Sequence, residues 1–244
     1  MLNLIGLGLN DETDLSLKAI AALKASDRIY LDTYTGLFNG SIEGLKRLCG
    51  REIAPLNRAD LEERPNENVL RDGNVSLLVV GDPMVATTHA DLVLRACKLG
   101  IEVRVIHASS VYSAVAETGL QIYKFGRTTT IAYPEGSYFP KSPYDVIIEN
   151  RSGGLHTLCL LDVKATEGRY MTVNEGLGLL LQMGDEICPD TLCVGIARLG
   201  GDAVIKYGRA ERLIEVDFGG PPHTIIVPGK LHFLEEEMLA RFTL

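Results

Sequence analysis

The stretch Gly81-Asp82-Pro83-Met84-Val85-Ala86-Thr87-Thr88-His89 directly follows an apolar run at 75–80, Val-Ser-Leu-Leu-Val-Val. Its residue types suit a small bound molecule. Gly81 admits close backbone approach, Pro83 fixes a turn, and Asp82 offers a carboxylate. In open α/β sheets ligands collect at the carboxyl ends of strands, which is where such a stretch would stand. The same residues also make an ordinary strand-to-helix turn in which Asp82 caps a backbone N–H, and the tripeptide alone reads first that way.

The histidines and cysteines carry less. His89, His107, His156, His223 and His232 contain no pair at metal-ligand spacing. His107 ends an apolar strand pattern and His156 begins one, so both read as structural; His223, after Pro221-Pro222, reads as a surface turn residue. His232 follows the compact turn Pro228-Gly229-Lys230, yet a lone histidine more often satisfies a hydrogen bond than acts on a substrate. The five cysteines are odd in number and include no Cys-x-x-Cys. Cys97 and Cys159 read as buried thiols of a reducing compartment. Cys188 and Cys193 lack histidine partners, so no metal site is expected.

Gly6-x-Gly8 with Asp32 at the end of a second strand invites a dinucleotide reading. It fails because Asp11 stands where the third glycine should be, and its carboxylate would repel a pyrophosphate. Walker-type loops, His-Glu-x-x-His and Gly-x-Ser-x-Gly do not occur.

These residues must be positioned by a globular chain of 244 residues with 32 acidic and 24 basic side chains, a formal net charge of −8. That balance lacks the long-range positive field of nucleic-acid binders, so neither DNA nor RNA is an expected partner. No apolar run reaches the roughly 18 residues that span a bilayer, and Met1–Ile5 reads as a first strand rather than a signal segment. A cytoplasmic protein without membrane attachment is expected. With no Trp and only 6 Phe, the core should be aliphatic.

Strand and helix signals alternate over the first hundred residues. Strands are expected at 2–5, 28–31, 75–80 and 103–106. Helices are expected at 15–24 with Asp14 as cap, at 41–48 ending on Gly50, and at 87–99 stopped by Gly100. The acid-rich stretch from Asp60 reads as a solvated face. This alternation argues for a parallel sheet covered on both sides. Beyond about residue 112 the strands follow one another more closely: 128–132, 156–161, 191–197, and β character from 204 to 227. Helices at 144–151 and 172–182 lie between them, with a terminal helix after His232. The loop Tyr133–Pro140 has three aromatics in eight residues and could cover a pocket, dock a partner or pack on its own domain. The fold class expected is α/β, with two α/β domains at 1–110 and 111–244. The first has a mainly parallel sheet, the second a mixed one, and ligands often sit where two such domains meet.

Six stretches recur in this order in one family: Gly6-Leu7-Gly8-Leu9, Gly81 to His89, His107 to Ala114, Gly119-Leu120-Gln121-Ile122-Tyr123-Lys124-Phe125-Gly126, Tyr133-Pro134-Glu135-Gly136, and Pro228-Gly229-Lys230-Leu231-His232. Over about residues 2–235 the chain resembles the diphthine branch of the tetrapyrrole (precorrin) methylase superfamily, the methyltransferases of diphthamide biosynthesis in archaea. The tetrapyrrole enzymes usually carry Gly-x-Gly-Pro-Gly in the first loop, where this chain has Gly6-Leu7-Gly8-Leu9-Asn10. That departure weakens a corrin or sirohaem reading, while Ser109 in place of the family's proline is a minor change.

The resemblance implies a fold with the active site in the cleft between the domains, and S-adenosylmethionine as donor. It implies donor contacts at Leu9, Asp82, Val85, Ser110, Val111, Leu161, Tyr207 and His232, with Tyr207 contributing through its side chain or through backbone alone. It implies an acceptor on translation elongation factor 2, a histidine extended by an aminocarboxypropyl group whose amino nitrogen is methylated repeatedly to give diphthine. A homodimer is implied as well. Methyl transfer from a sulfonium mainly needs alignment, and solvent can take the proton, so the sequence names no catalytic base. A small-molecule tetrapyrrole methylase and a non-catalytic donor-binding module are the alternatives, separated by binding of the elongation factor and by turnover.

Overall fold

The computed structural model describes the backbone of residues 1–244 and every side chain but that of residue 166. The chain divides into two units, residues 1–112 with 165–167, and residues 113–164 with 168–244.

Unit 1 is an alternating α/β layer. Its strands are β1 (Leu2–Gly6), β2 (Arg28–Asp32), β3 (Ile53–Leu56), β4 (Val75–Val79) and β5 (Val103–Ile106); its helices are α1 (Leu17–Lys24), α2 (Ile42–Cys49), α3 (Arg58–Glu62) and α4 (His89–Lys98). The five strands run in the order β3-β2-β4-β1-β5, every neighbouring pair parallel. Period-two alternation sorts their side chains. Leu2, Leu4, Val75, Leu77 and Val79 pack on one face with Leu92 and Ala96 of α4. Ile5, Leu31, Leu78 and Ile106 pack on the other with Ala19 and Leu23 of α1 and Leu45 of α2. Both faces are covered, as the near-continuous apolar strands require.

The helix ends follow local chemistry. Ser16, not Asp14, caps α1 by accepting from Ala19 N. Asp14 instead accepts from the amides of Leu9 and Asn10. Ser41 caps α2 and Gly50 ends it, each cap of this kind being worth about 1 kcal/mol. Within the acid-rich stretch Asn57 opens α3 with a reciprocal capping box to Asp60. Cys97 is exposed, because it follows the buried Ala96 onto the outer face of α4.

Unit 2 starts within α5 (Val111–Ala114) and contains β6 (Thr129–Ile131), α6 (Ser142–Ser152), β7 (Thr157–Leu161), a short pair β8 (Val163–Lys164) and β9 (Arg169–Tyr170), and α7 (Val173–Met183). It continues with β10 (Leu192–Ala197), β11 (Val204–Arg209), α8 (Ala210–Leu213), β12 (His223–Val227) and α9 (Phe233–Ala240). Its main sheet has the order β11-β10-β12-β7-β6. Only β6–β7 is parallel, so this sheet is mixed. The core against it is aliphatic apart from Phe218 and Tyr133, with Ile131, Ile147, Leu161, Leu177, Leu180 and Ile225 buried together. Tyr133 and Phe139 of the aromatic loop pack on this core, while Tyr138 points outward.

Candidate active site

Three neighbouring strands of unit 1 end side by side, and the turns that follow β1, β4 and β5 meet there. Gly8 and Gly81 exchange backbone hydrogen bonds, N–H to O at 3.3 and 2.8 Å. Both are left-handed, with φ of +86° and +71°. A Cβ at Gly8 would come within 2.4 Å of Asp14 Cβ, so the first loop closes only over glycine. Ala86 is also left-handed, at φ +55°, although it is not glycine.

Asp82 follows β4 and is 6% exposed. Its Oδ1 accepts from Met84 N at 2.9 Å, the ordinary capping role open to it from sequence. Its Oδ2 accepts from His107 Nδ1 at 2.8 Å and from Ala108 N at 3.2 Å, which ties the turn after β4 to the turn after β5. The His107 side chain is 71% exposed, so it is not the structural core histidine expected of a strand end. The partnership links residues 25 apart in sequence, and only the strand order β4-β1-β5 makes it visible.

His89 braces the Gly-Asp-Pro turn from beneath. Its buried ring donates from Nδ1 to Pro83 O at 3.0 Å. Its Nε2 stands 3.2 Å from Asp32 Oδ2, out of line for a hydrogen bond. Asp32 is itself buried and accepts from the amides of Tyr34 and Thr35 and from the Thr35 hydroxyl. It is therefore consumed inside the unit, which disposes of the ribose-binding role in a dinucleotide reading.

Leu9, Asp82, Val85, Ser110 and Val111 all lie on these strand-end turns. Leu9 and Val85 are half-buried, and their amides are engaged by Asp14 Oδ2 and Asp82 O, which shapes the turns. Unit 2 does not bring its three candidates together. Leu161 ends β7, level with the start of β12. Tyr207 is level with Val194, Ile226 and hence Leu158, near the opposite end, and its N–H and C=O pair with Phe242 O and Leu244 N. His232 lies beyond Val227, which pairs with Thr157, and it is exposed as the cap of α9, accepting from Leu234 N at 3.4 Å. The residue beside the Leu161 end is His223, which heads β12 opposite Ala197 rather than sitting in a surface turn. Its Nδ1 accepts from Val173 N, its Nε2 donates to Gly220 O, and burial lowers its pKa.

Electrically the turns after β1, β4 and β5 have one sign. Residues 7–14, 80–88 and 107–110 contain Asp11, Glu12, Asp14 and Asp82 and neither Lys nor Arg. A phosphate would be repelled there, and a small cation such as a sulfonium or an ammonium would be favoured. The donor set thus fits a cationic methyl donor. Among the described residues, no three His, Cys, Asp or Glu side chains are grouped to hold a metal, and no helix is long and apolar enough to cross a membrane.

Comparison with known proteins agrees with this geometry. Residues 1–203 match the family model for tetrapyrrole (corrin/porphyrin) methylases. The chain is 48% identical to a diphthine synthase of Methanocaldococcus jannaschii, covering 98% of this chain and 97% of the relative. It is 47% identical to a diphthine synthase of Methanococcus aeolicus, over 98% and 96% of the two chains. A crystal structure of diphthine synthase superimposes with a TM-score of 0.92 at 38% identity, covering 99% of this chain and 95% of that one. The chain belongs to the tetrapyrrole methylase family and, within it, to the methyltransferases of the diphthine synthase group.

Proposed function

We propose that the chain transfers methyl groups from S-adenosylmethionine to the amino nitrogen of the aminocarboxypropyl-extended histidine of translation elongation factor 2, yielding diphthine. The observation that carries this reading is the acidic, Lys- and Arg-free set of turns after β1, β4 and β5 in unit 1. It suits a cationic donor and a cationic amine, and it opposes the phosphate-bearing cofactors that the same Gly-x-Gly pattern could otherwise serve. The curated relatives carry the name of this activity over nearly the whole chain.

We assign the donor to Leu9, Asp82, Val85, Ser110 and Val111, the candidates on the strand-end turns of unit 1. The group resemblance also implies Leu161, Tyr207 and His232 as donor contacts. When bound, the donor supplies an already activated methyl group. The chain's own work is then to hold the acceptor nitrogen in line with it and to keep bulk water aside. The Asp82 carboxyl, fixed by three N–H donors, supplies preorganised acceptor oxygens beside the cationic centre. Work on a translation factor places the protein in the cytoplasm, and the group resemblance favours a homodimer.

The test is mass spectrometry of archaeal elongation factor 2 carrying the aminocarboxypropyl-histidine, after incubation with the protein and S-adenosylmethionine. Mass gains in methyl steps on that one histidine are expected. Donor binding in calorimetry with an unmodified factor would overturn the acceptor, and no donor binding would overturn the reading altogether.

A further inference from the structure

We propose that His107, held by Asp82, is the base that takes the proton from the acceptor's ammonium group before each methyl transfer. The proposal rests on the amine acceptor named above.

The geometry is that of an oriented imidazole. Asp82 accepts from Met84 N and Ala108 N, and its Oδ2 is the acceptor facing His107 Nδ1. With Asp82 as the acceptor, Nδ1 of His107 is the donor, and the lone pair of the neutral ring lies on Nε2. The Asp82 side chain is buried and hydrogen-bonded at both oxygens, while the ring it holds is mostly exposed. No group among the described residues hydrogen-bonds Nε2. A buried carboxylate that fixes the tautomer and steadies the imidazolium, with the second nitrogen turned outward, is the arrangement general bases use. His107 also stands at the right place. It is the first residue after β5, next in the sheet to β1 and two places from β4, whose turns carry the donor assignments Leu9, Asp82 and Val85.

The chemistry needs such a group. An aliphatic amine is largely protonated near neutral pH and has no free lone pair in that state. Nε2 takes one N–H proton, and the electron pair of that bond becomes the lone pair on nitrogen. That pair forms the new N–C bond while the methyl–sulfur bond breaks, its electrons staying on sulfur as a neutral thioether. The product nitrogen is again cationic, with one N–H fewer, and the imidazolium returns its proton to solvent. Three rounds release three protons. The trimethylated nitrogen then has neither proton nor lone pair, so transfer stops there without any steric gate.

The experiment compares wild type, His107→Gln and His107→Ala as full-length proteins on the modified elongation factor, with S-adenosylmethionine affinity measured by calorimetry. The expected result is a fall in kcat of about 100-fold or more for both variants. Donor affinity should stay within about twofold, and added imidazole should restore a saturable part of the His107→Ala rate. Wild-type activity with undiminished His107→Gln activity would overturn the base while leaving the acceptor intact. A matching loss of donor affinity, or a rate loss that imidazole does not restore, would also overturn it. Inactive wild type that still binds the donor would sink the acceptor assignment and the proton transfer with it.

Discussion

Each unit contains a carboxylate–histidine pair of similar length, Asp82–His107 at 2.8 Å in unit 1 and Glu235–His156 at 3.0 Å in unit 2. The pairs differ in what happens to the second ring nitrogen. In unit 2 it is used: His156 Nδ1 accepts from Gly229 N while Nε2 donates to Glu235, and both side chains are fully buried. Glu235 also accepts from Gln121 N, from His232 N and from the Lys124 ammonium. Every polar atom there is matched, so the cluster pins the start of α9 to the 121–124 turn and the entry to β7. In unit 1 the ring is mostly exposed, and its second nitrogen has no hydrogen-bond partner among the described residues. The same two residue types thus make a rivet in one place and a reactive dyad in the other, and closure of the hydrogen-bond network decides which.

The largest effect that would break this contrast is on stability. Glu235→Ala removes the acceptor for two backbone amides, a buried imidazole and a half-buried ammonium. A loss of about 3–5 kcal/mol is expected, the usual cost of stranding a buried charge. His107→Gln removes one donor from the buried Asp82 carboxylate but leaves it the amides of Met84 and Ala108, so it should cost about 1–2 kcal/mol while it abolishes most turnover. Urea denaturation of the two variants beside wild type measures both. Equal destabilisation would show that the two pairs do the same structural work.

The sequence made the scaffold legible and left the dyad hidden. Continuous apolar runs announced β1, β4 and β7, and Ser41 and Gly50 bounded α2, because these signals are local. Strand β3 was missed because it is an edge strand of four residues with Pro55 inside it and only its two ends buried. Helix α3 lay in a stretch whose charges masked the Asn57 capping box. Asp82 and His107 are each unremarkable in sequence, and sheet order alone brings them together. Tyr207 and His232 show the converse. Each sits in a recognisable pattern, yet only the structure shows Tyr207 level with Leu158 and His232 capping α9.

A smaller effect sharpens the contrast through pH. Burial alone would raise the Glu235 pKa, but the bonds from Lys124, Gln121 N, His232 N and His156 overcome it and hold the group at about 2. A depressed carboxyl contributes stability that is complete above its unfolded value near 4.5 and is lost as pH falls through the folded one. Across that window the loss amounts to about 3 kcal/mol. His156 is lowered first by burial and then by Lys124, against the pull of Glu235. A histidine kept neutral in the fold also costs stability as pH falls, beginning at its unfolded value of 6.5. Denaturant midpoints against pH should therefore decline in two stages, one starting near 6.5 and one near 4.5. The lower stage should disappear in Glu235→Gln, and its persistence there would assign it to another carboxylate.

The smallest expected effect is at Ala86, the left-handed alanine in the turn that carries Asp82 and Val85. Its conformation costs about 1–2 kcal/mol relative to a right-handed one. Ala86→Gly removes that cost, but glycine frees the unfolded chain by about 0.4–1 kcal/mol in the opposite direction. The net gain should be a few tenths of a kcal/mol to about 1 kcal/mol, read as a small rise in the urea midpoint. If the strain serves to hold the Asp82 turn in one geometry, the slightly more stable variant should bind S-adenosylmethionine less tightly. No such trade exists in the Glu235 cluster, where every contact that fixes geometry also stabilises. A variant with unchanged donor affinity would show that Ala86 is strained without purpose, and that the turn is held by the Asp82 and His89 hydrogen bonds alone.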